Sequence, residues 1–176
     1  MKSAYAAALV VVSAAVPAAC GDGVSGASGA RSASSACRTF RTALAVRDRM
    51  SQAVGVFNSG EPITFELQIA NATNNGVTLM AGSSCTVVVF EVSDSANQRR
   101  WGNADGLECV VRAQPHLYGP FEVVTESSLW NQKDSGGGQV PTGDYVVTAS
   151  VGQYFAIPQG LVNCPELSQT ATLRIQ

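Results

Sequence analysis

Five cysteines and a single histidine are the side chains best suited to chemistry in this 176-residue chain, and their spacing decides which chemistry is open to them. Cys20, Cys37, Cys85, Cys109 and Cys164 form no C-x-x-C pair, so neither a zinc knuckle nor a thioredoxin-like redox motif is supported. His116 stands in Gln114-Pro115-His116-Leu117-Tyr118, which reads as a loop, with no cysteine near it to activate. Glu122 and Glu126 lie four apart and read as solvated charges on the wet face of a strand rather than as an acid–base pair. Gly136–Gly138 sits in a loop with Lys133, Asp134 and Ser135, and it lacks the G-K-[ST] ending of a phosphate-binding loop. These residues specify no catalytic group, no cofactor and no metal centre, so the chain is expected not to be an enzyme. With a net charge of −2 and only Arg99-Arg100 as a basic pair, nucleic acid is not an expected partner.

One cysteine has a different chemistry open to it. Residues 1–19 have the parts of a secretory signal: Lys2 as a positive start, an uncharged Ala/Val run over Ala6–Val16, and small residues Ala18 and Ala19. The apolar run is shorter than the roughly 20 residues that span a bilayer. Val-Pro-Ala-Ala-Cys20 resembles a bacterial lipobox, which makes Cys20 the lipidated residue and the membrane anchor. Lipidation of Cys20 also leaves an even four cysteines. The alternative is cleavage after Ala18 and free secretion. The expected location is extracytoplasmic, anchored to a bacterial membrane, and the outer one in a Gram-negative cell because Gly21 is not Asp. Residues 20–36, the lipidated cysteine and the run GDGVSGASGARSASSA, have almost nothing large to bury and read as a flexible tether. Residues 37–176 remain, enough for one core.

The elements of that domain are strands. Phe40, Thr42, Leu44 and Val46 alternate with Arg41, Ala43, Ala45 and Arg47 in a first strand that ends in the charge run Arg47-Asp48-Arg49. Ala53–Phe57 is a short second segment. Ile63, Phe65, Leu67 and Ile69 alternate with Thr64, Glu66 and Gln68, giving one buried and one wet face. Asn71–Gly76 is a polar turn, and its Asn71-Ala72-Thr73 glycosylation pattern is read as turn chemistry. Val77 and Leu79 continue inward, Ala81–Ser84 bend, and Thr86–Val92 is apolar on both faces, as a mid-sheet strand should be. Asp94–Gln98 is a turn, followed by an extended piece from Arg99. Phe121, Val123 and Thr125, alternating with Glu122 and Glu126, predict a long strand toward Trp130. Pro141-Thr142-Gly143 turns into a strand with Tyr145, Val147, Ala149 and Val151 on one face; Tyr154–Val162 is an irregular connection, and Ala171, Leu173 and Ile175 mark the last strand. No helical period appears. Seven to nine short strands predict an all-β, immunoglobulin-like antiparallel sandwich.

Four stretches carry a family resemblance: Phe65–Asn71 followed by Val77-Thr78-Leu79; Val87–Phe90 followed by Arg100-Trp101; Leu129-Trp130-Asn131-Gln132; and Pro141-Thr142-Gly143-Asp144-Tyr145. In order and spacing, over roughly residues 62 to 151, the chain resembles the BsuPI-type intracellular proteinase inhibitor family. The resemblance implies an immunoglobulin-like sandwich, and it raises inhibition of an extracytoplasmic serine protease of subtilisin type as the alternative function. Cys85, Cys109 and the signal peptide depart from the family pattern.

The favoured function is a cell-envelope lipoprotein presenting this domain as a protein-binding module, its partner an unidentified envelope or extracellular protein. The loops expected to serve an inhibitor are Lys133–Val140 and Gln153–Val162. Four cysteines outside the reducing cytoplasm allow three connectivities, of which Cys85–Cys109 and Cys37–Cys164 are preferred. Each bridge would contribute about 3–5 kcal/mol through loop entropy, less strain. One bridge with two free thiols is the alternative.

Overall fold

A computed structural model describes residues 38–81, 87–110, 114–151, 154–156, 160–162 and 167–176. The signal segment, the tether, the bend after Ala81 and four of the five cysteines (Cys20, Cys37, Cys85 and Cys164) lie outside the described residues.

Where apolar and polar residues alternate with period 2, strands form. They are β1 (Phe40–Arg47), β2 (Val56–Phe57), β3 (Ile63–Asn71), β4 (Val77–Ala81), β5 (Val88–Asp94), β6 (Arg99–Gly102), β7 (Gln114–Tyr118), β8 (Val123–Trp130), β9 (Gly143–Val151), β10 (Tyr154–Ala156), β11 (Gly160–Val162) and β12 (Gln169–Ile175). One sheet has the order β1-β3-β8 and a second has β2-β12-β9-β5-β6. Their inner faces share one core, and the chain is an all-β sandwich. All pairs in these sheets are antiparallel except β2 with β12, where Arg174 lies opposite Val56. The third sheet, β11-β10-β4-β7, continues from β3 past the Asn71–Gly76 turn.

The core is set by aromatic rings on facing strands. Phe65 of β3 has its ring centroid 6.1 Å from Phe90 of β5, from Trp101 of β6 and from Trp130 of β8. Trp130 in turn lies 5.9 Å from Tyr145 of β9, edge to face. The Tyr145 hydroxyl donates to Pro141 O at 2.6 Å, four residues upstream. A tyrosine bonding back across the corner that starts its strand is a hallmark of immunoglobulin-like sandwiches.

Three turns share one construction. Asp48, Asp94 and Asp134 each accept, through Oδ1, the N–H groups two and four residues on: Met50 and Gln52, Ala96 and Gln98, Gly136 and Gly138. The backbone N–H of each aspartate donates to the carbonyl four residues later. The fourth residue of each turn has positive φ: Ser51 at 61°, Asn97 at 59° and Gly137 at 84°. A type I turn closed by a left-handed residue matches the twist of the strands it joins. Asp48 therefore builds a turn; it does not merely end a strand with a solvated charge. The glycines at 136–138 serve the same turn chemistry.

The structure corrects the expected elements in four places. There are twelve strands among the described residues, not seven to nine. The stretch at His116 is not a loop but strand β7, paired with β4 so that His116 lies opposite Leu79. Pro115 is tolerated because β7 is the outer strand of its sheet and needs hydrogen bonds on one side only. Within Tyr154–Val162, expected to be irregular, the described residues form β10 and β11, which pair with Phe155 opposite Leu161. These pieces are too short for a period to be read. Finally, β8 has the opposite phase to the one expected. Trp130 is buried, and period 2 then turns Ser128, Glu126 and Val124 inward while Val123, Thr125, Ser127 and Leu129 face solvent.

Candidate binding surface

No group of three or more His, Cys, Asp or Glu among the described residues could hold a metal ion. No described helix is long and apolar enough to cross a membrane. His116 is half-buried on β7, and no described nucleophile hydrogen-bonds to it. Cys109 lies in the irregular segment after Leu107, not on a strand, and its sulfur is disulfide-bonded. Asn71 is 2% exposed, with its amide donating to Asn75 O at 2.7 Å and Gly119 O at 2.8 Å while its carbonyl accepts from Thr73. Both ends of that side chain serve the turn, as its sequence context suggested.

Glu122 and Glu126 are not a pair on one wet face. Glu122 precedes β8 and accepts the Gly119 N–H at 2.5 Å. Glu126 lies on the inward side of β8, opposite the fully buried Leu67 of β3. Together with burial, the two carboxylates push the Tyr118 phenol up to about 12; burial is the largest cause, then Glu126, then Glu122.

The end of β8 and the segment after it hold the Trp-Asn-Gln motif, whose side chains bond to the backbone of neighbouring turns. Gln132 is 0% exposed and sits at φ 56°. Its amide donates to Asn58 O and Glu61 O, each at 2.8 Å, and its carbonyl accepts from Gly60 N at 2.7 Å. Trp130 Nε1 donates to Lys133 O at 2.8 Å. Sequence reading missed Gln132 as a core residue; the only signal was a glutamine two after a buried tryptophan. The loop beyond it is closed, with Lys133 paired to Gln139 and Ser135 N–H donating to Arg100 O at 2.8 Å. Of the other loop expected to serve an inhibitor, Gln153 and residues 157–159 lie outside the described residues.

The arginine pair on β6 is committed to ion pairs. Arg99 reaches Glu91 at 2.7 Å and Asp105 at 2.5 Å, and Arg100 reaches Asp94 at 2.5 Å. Backbone hydrogen bonding from Gln98, then the Arg100 guanidinium, hold the Asp94 carboxyl below the usual range. Burial would raise Asp105, but hydrogen bonds from Arg99, Ser135 and Gly102 hold it low as well.

Four of the exposed large apolar residues lie on or beside β7 and β8. Leu117 of β7, Phe121, and Val123 and Leu129 of β8 are 73%, 65%, 56% and 56% exposed. Phe121 has φ 55°, a left-handed conformation that bulky side chains rarely adopt. A strained, exposed aromatic at the head of a strand is a feature that function more readily explains than packing does. A shallow cavity of about 580 Å³ lies elsewhere, over Val56, Val146, Thr172 and the exposed Arg174–Asp144 pair at 3.4 Å.

No family model matches the sequence, and no curated protein matches it. Among solved structures the chain is similar to a β-glucosidase from Erythrobacter marinus, with 14% identity and a TM-score of 0.43, covering 78% of this chain and 15% of the other. It is also similar to the C-terminal domain of wzt, with 8% identity, a TM-score of 0.46, and coverage of 78% and 74%. A third likeness is to an alkylpurine DNA glycosylase from Pseudomonas fluorescens, with 13% identity, a TM-score of 0.43, and coverage of 78% and 30%. The chain thus spans a small fraction of the glucosidase. At these scores the likenesses carry no argument about activity.

Proposed function

We propose that this chain is a cell-envelope lipoprotein, anchored through Cys20 and tethered by residues 21–36, whose BsuPI-like β-sandwich serves as a protein-binding module. The observation that carries the binding reading is the exposure of four large apolar residues on or beside β7 and β8, Leu117, Phe121, Val123 and Leu129, one of them a left-handed phenylalanine. Soluble proteins expose single apolar residues freely, but several on adjoining elements mark an interaction site. A disulfide at Cys109 suits an extracytoplasmic address; Cys85–Cys109 and Cys37–Cys164 are the bridges of this reading.

Two experiments test the parts separately. Metabolic labelling with a palmitate analogue should mark the wild-type chain and leave Cys20→Ser unmarked; labelling of both would refute the anchor. Capture from envelope extracts should be saturable for the full-length chain and lost when Phe121 and Leu129 are replaced by Ser. A second reading, inhibition of a subtilisin-type serine protease, has the hydrogen-bonded loop at 133–139 and exposed Lys133 in its favour, since inhibitors bind with little movement. Stoichiometric inhibition abolished by Lys133→Ala would support it.

A further inference from the structure

A strand at the end of a sheet carries a row of N–H and C=O groups that another strand can pair with, and folded proteins cover or block such edges. Among the described residues most edges here are managed. β7 carries Pro115. β6 has four residues, and the Arg100 carbonyl accepts from both the N–H and the hydroxyl of Ser135 in the 134–138 loop. β1 is tied to β12 by Gln169 Nε2 donating to Thr42 Oγ1 at 3.0 Å. β8 is different. It has eight residues, contains neither proline nor lysine, and pairs on one side only, with β3.

Its side chains state what the missing strand should look like. A second copy of β8 is the simplest candidate, since a two-fold axis would pair the edge with itself, antiparallel. Opposed residues must then share a face. The register that sets Val123 against Leu129 on the outer face also sets Glu126 against Glu126 on the inner one. Like charges directly opposed are destabilising, and an inward-pointing charge is a recognised guard against edge pairing. Glu126 is half-buried beside Leu67 and Tyr118, and its carboxylate makes no hydrogen bond or ion pair among the described residues. The same carboxylate that opposes self-pairing favours a strand with a cation at that position.

We infer that the free edge of β8 accepts an extended strand of a partner protein, in which a lysine or arginine lies opposite Glu126 and apolar residues lie opposite Val123 and Leu129. This rests on the binding-module reading and names the kind of partner. Main-chain hydrogen bonds along Val123–Trp130 would supply affinity, and alternate side chains would supply selectivity.

The test uses the full-length chain in mild detergent and three synthetic nine-residue peptides. One alternates Val and Thr with Lys at its centre, one has Glu at the centre, and one has Pro beside the Lys. Anisotropy of labelled peptides reads affinity, amide exchange over 123–130 reads location, and sedimentation reads oligomeric state. The Lys peptide should bind about tenfold tighter than the Glu peptide and protect β8 amides, and the Pro peptide should bind neither well nor at that site. Glu126→Lys should reverse the preference, and Glu126→Gln should remove it with an unchanged unfolding midpoint. Equal binding of Lys and Glu peptides, or binding without protection of β8, overturns the inference. So does a dimer protected at β8 in the wild-type chain, which would make a second copy the occupant. A partner captured from envelope extracts on another surface would overturn the edge proposal while leaving the module reading standing.

Discussion

Gly60 and Gln132 lie 72 residues apart in sequence and are joined by a 2.7 Å hydrogen bond in which the Gly60 N–H donates to the glutamine carbonyl. Gly60 adopts φ 77° there, so the turn before β3 is shaped to present that N–H. The glutamine amide returns two bonds to the same turn, at Asn58 O and Glu61 O. One buried side chain thereby fixes the β2–β3 connection against the segment leaving β8.

Replacing Gln132 by Leu should therefore cost about 2–4 kcal/mol. Three backbone groups lose a hydrogen bond, each worth about 0.5–1.5 kcal/mol. Urea unfolding of the purified chain measures it; a loss under 1 kcal/mol would show that water replaces the side chain.

Ser51 offers the opposite sign. It holds φ 61° in a turn where glycine has no steric penalty, as Gly137 shows in the third of the equivalent turns. Ser51→Gly should raise stability by up to about 1 kcal/mol, the left-handed penalty less the added chain entropy. Asp48→Ala should lower it by about 1–2 kcal/mol, because the Met50 and Gln52 N–H groups lose their shared acceptor. A rise in unfolding midpoint for the first and a fall for the second are the expected pair.

Tyr118 sets the alkaline limit. Its folded pKa is raised from 10.0 to about 12, so the neutral phenol is favoured in the folded state. That contribution is fully present below pH 10 and is lost as pH rises through 12. At about 1.4 kcal/mol per unit, Tyr118 should contribute a fall of about 2–3 kcal/mol across that window, and Tyr118→Phe should show a correspondingly smaller fall, with Tyr145, also raised by burial, still contributing. Unfolding midpoints from pH 8 to 12 compare the two.

Phe121 separates function from folding. Phe121→Gly relieves its left-handed strain and removes an exposed ring, so stability should hold or rise by about 1 kcal/mol while partner capture falls. A large loss of stability would assign the ring a packing role instead.

Much of the sandwich was legible because its central strands bury one full face. β3 and β9 show it best: Ile63, Phe65, Leu67 and Ile69, and Tyr145, Val147, Ala149 and Val151, are buried at the positions their alternation marks. β8 was legible as a strand but not in phase. Its inward side carries Ser128 and Glu126, polar residues tolerated at a sheet edge, so hydrophobic alternation pointed to the wrong face. β10 and β11 are too short to show any period, and Pro115 disguised β7. The recurring Asp turn was hidden because aspartate reads as surface charge unless its i+2 and i+4 amides are known to converge on it. Gln132 was hidden because its partners are backbone atoms far away in sequence. Of the site itself, the sequence showed Phe121, Val123 and Leu129 only as members of a strand and Leu117 only as part of a loop; which of the β8 residues face solvent depends on the phase of that strand.

The most direct test of the binding surface is in-cell photo-crosslinking from two positions of the full-length chain. A benzophenone amino acid replaces Thr125, on the outward face of β8, or Thr172 of β12, in the opposite sheet. A discrete, saturable protein adduct from position 125 and none from position 172 is the predicted result. Adducts of equal yield from both positions, or from 172 alone, would contradict β8 as the face through which this protein binds its partner.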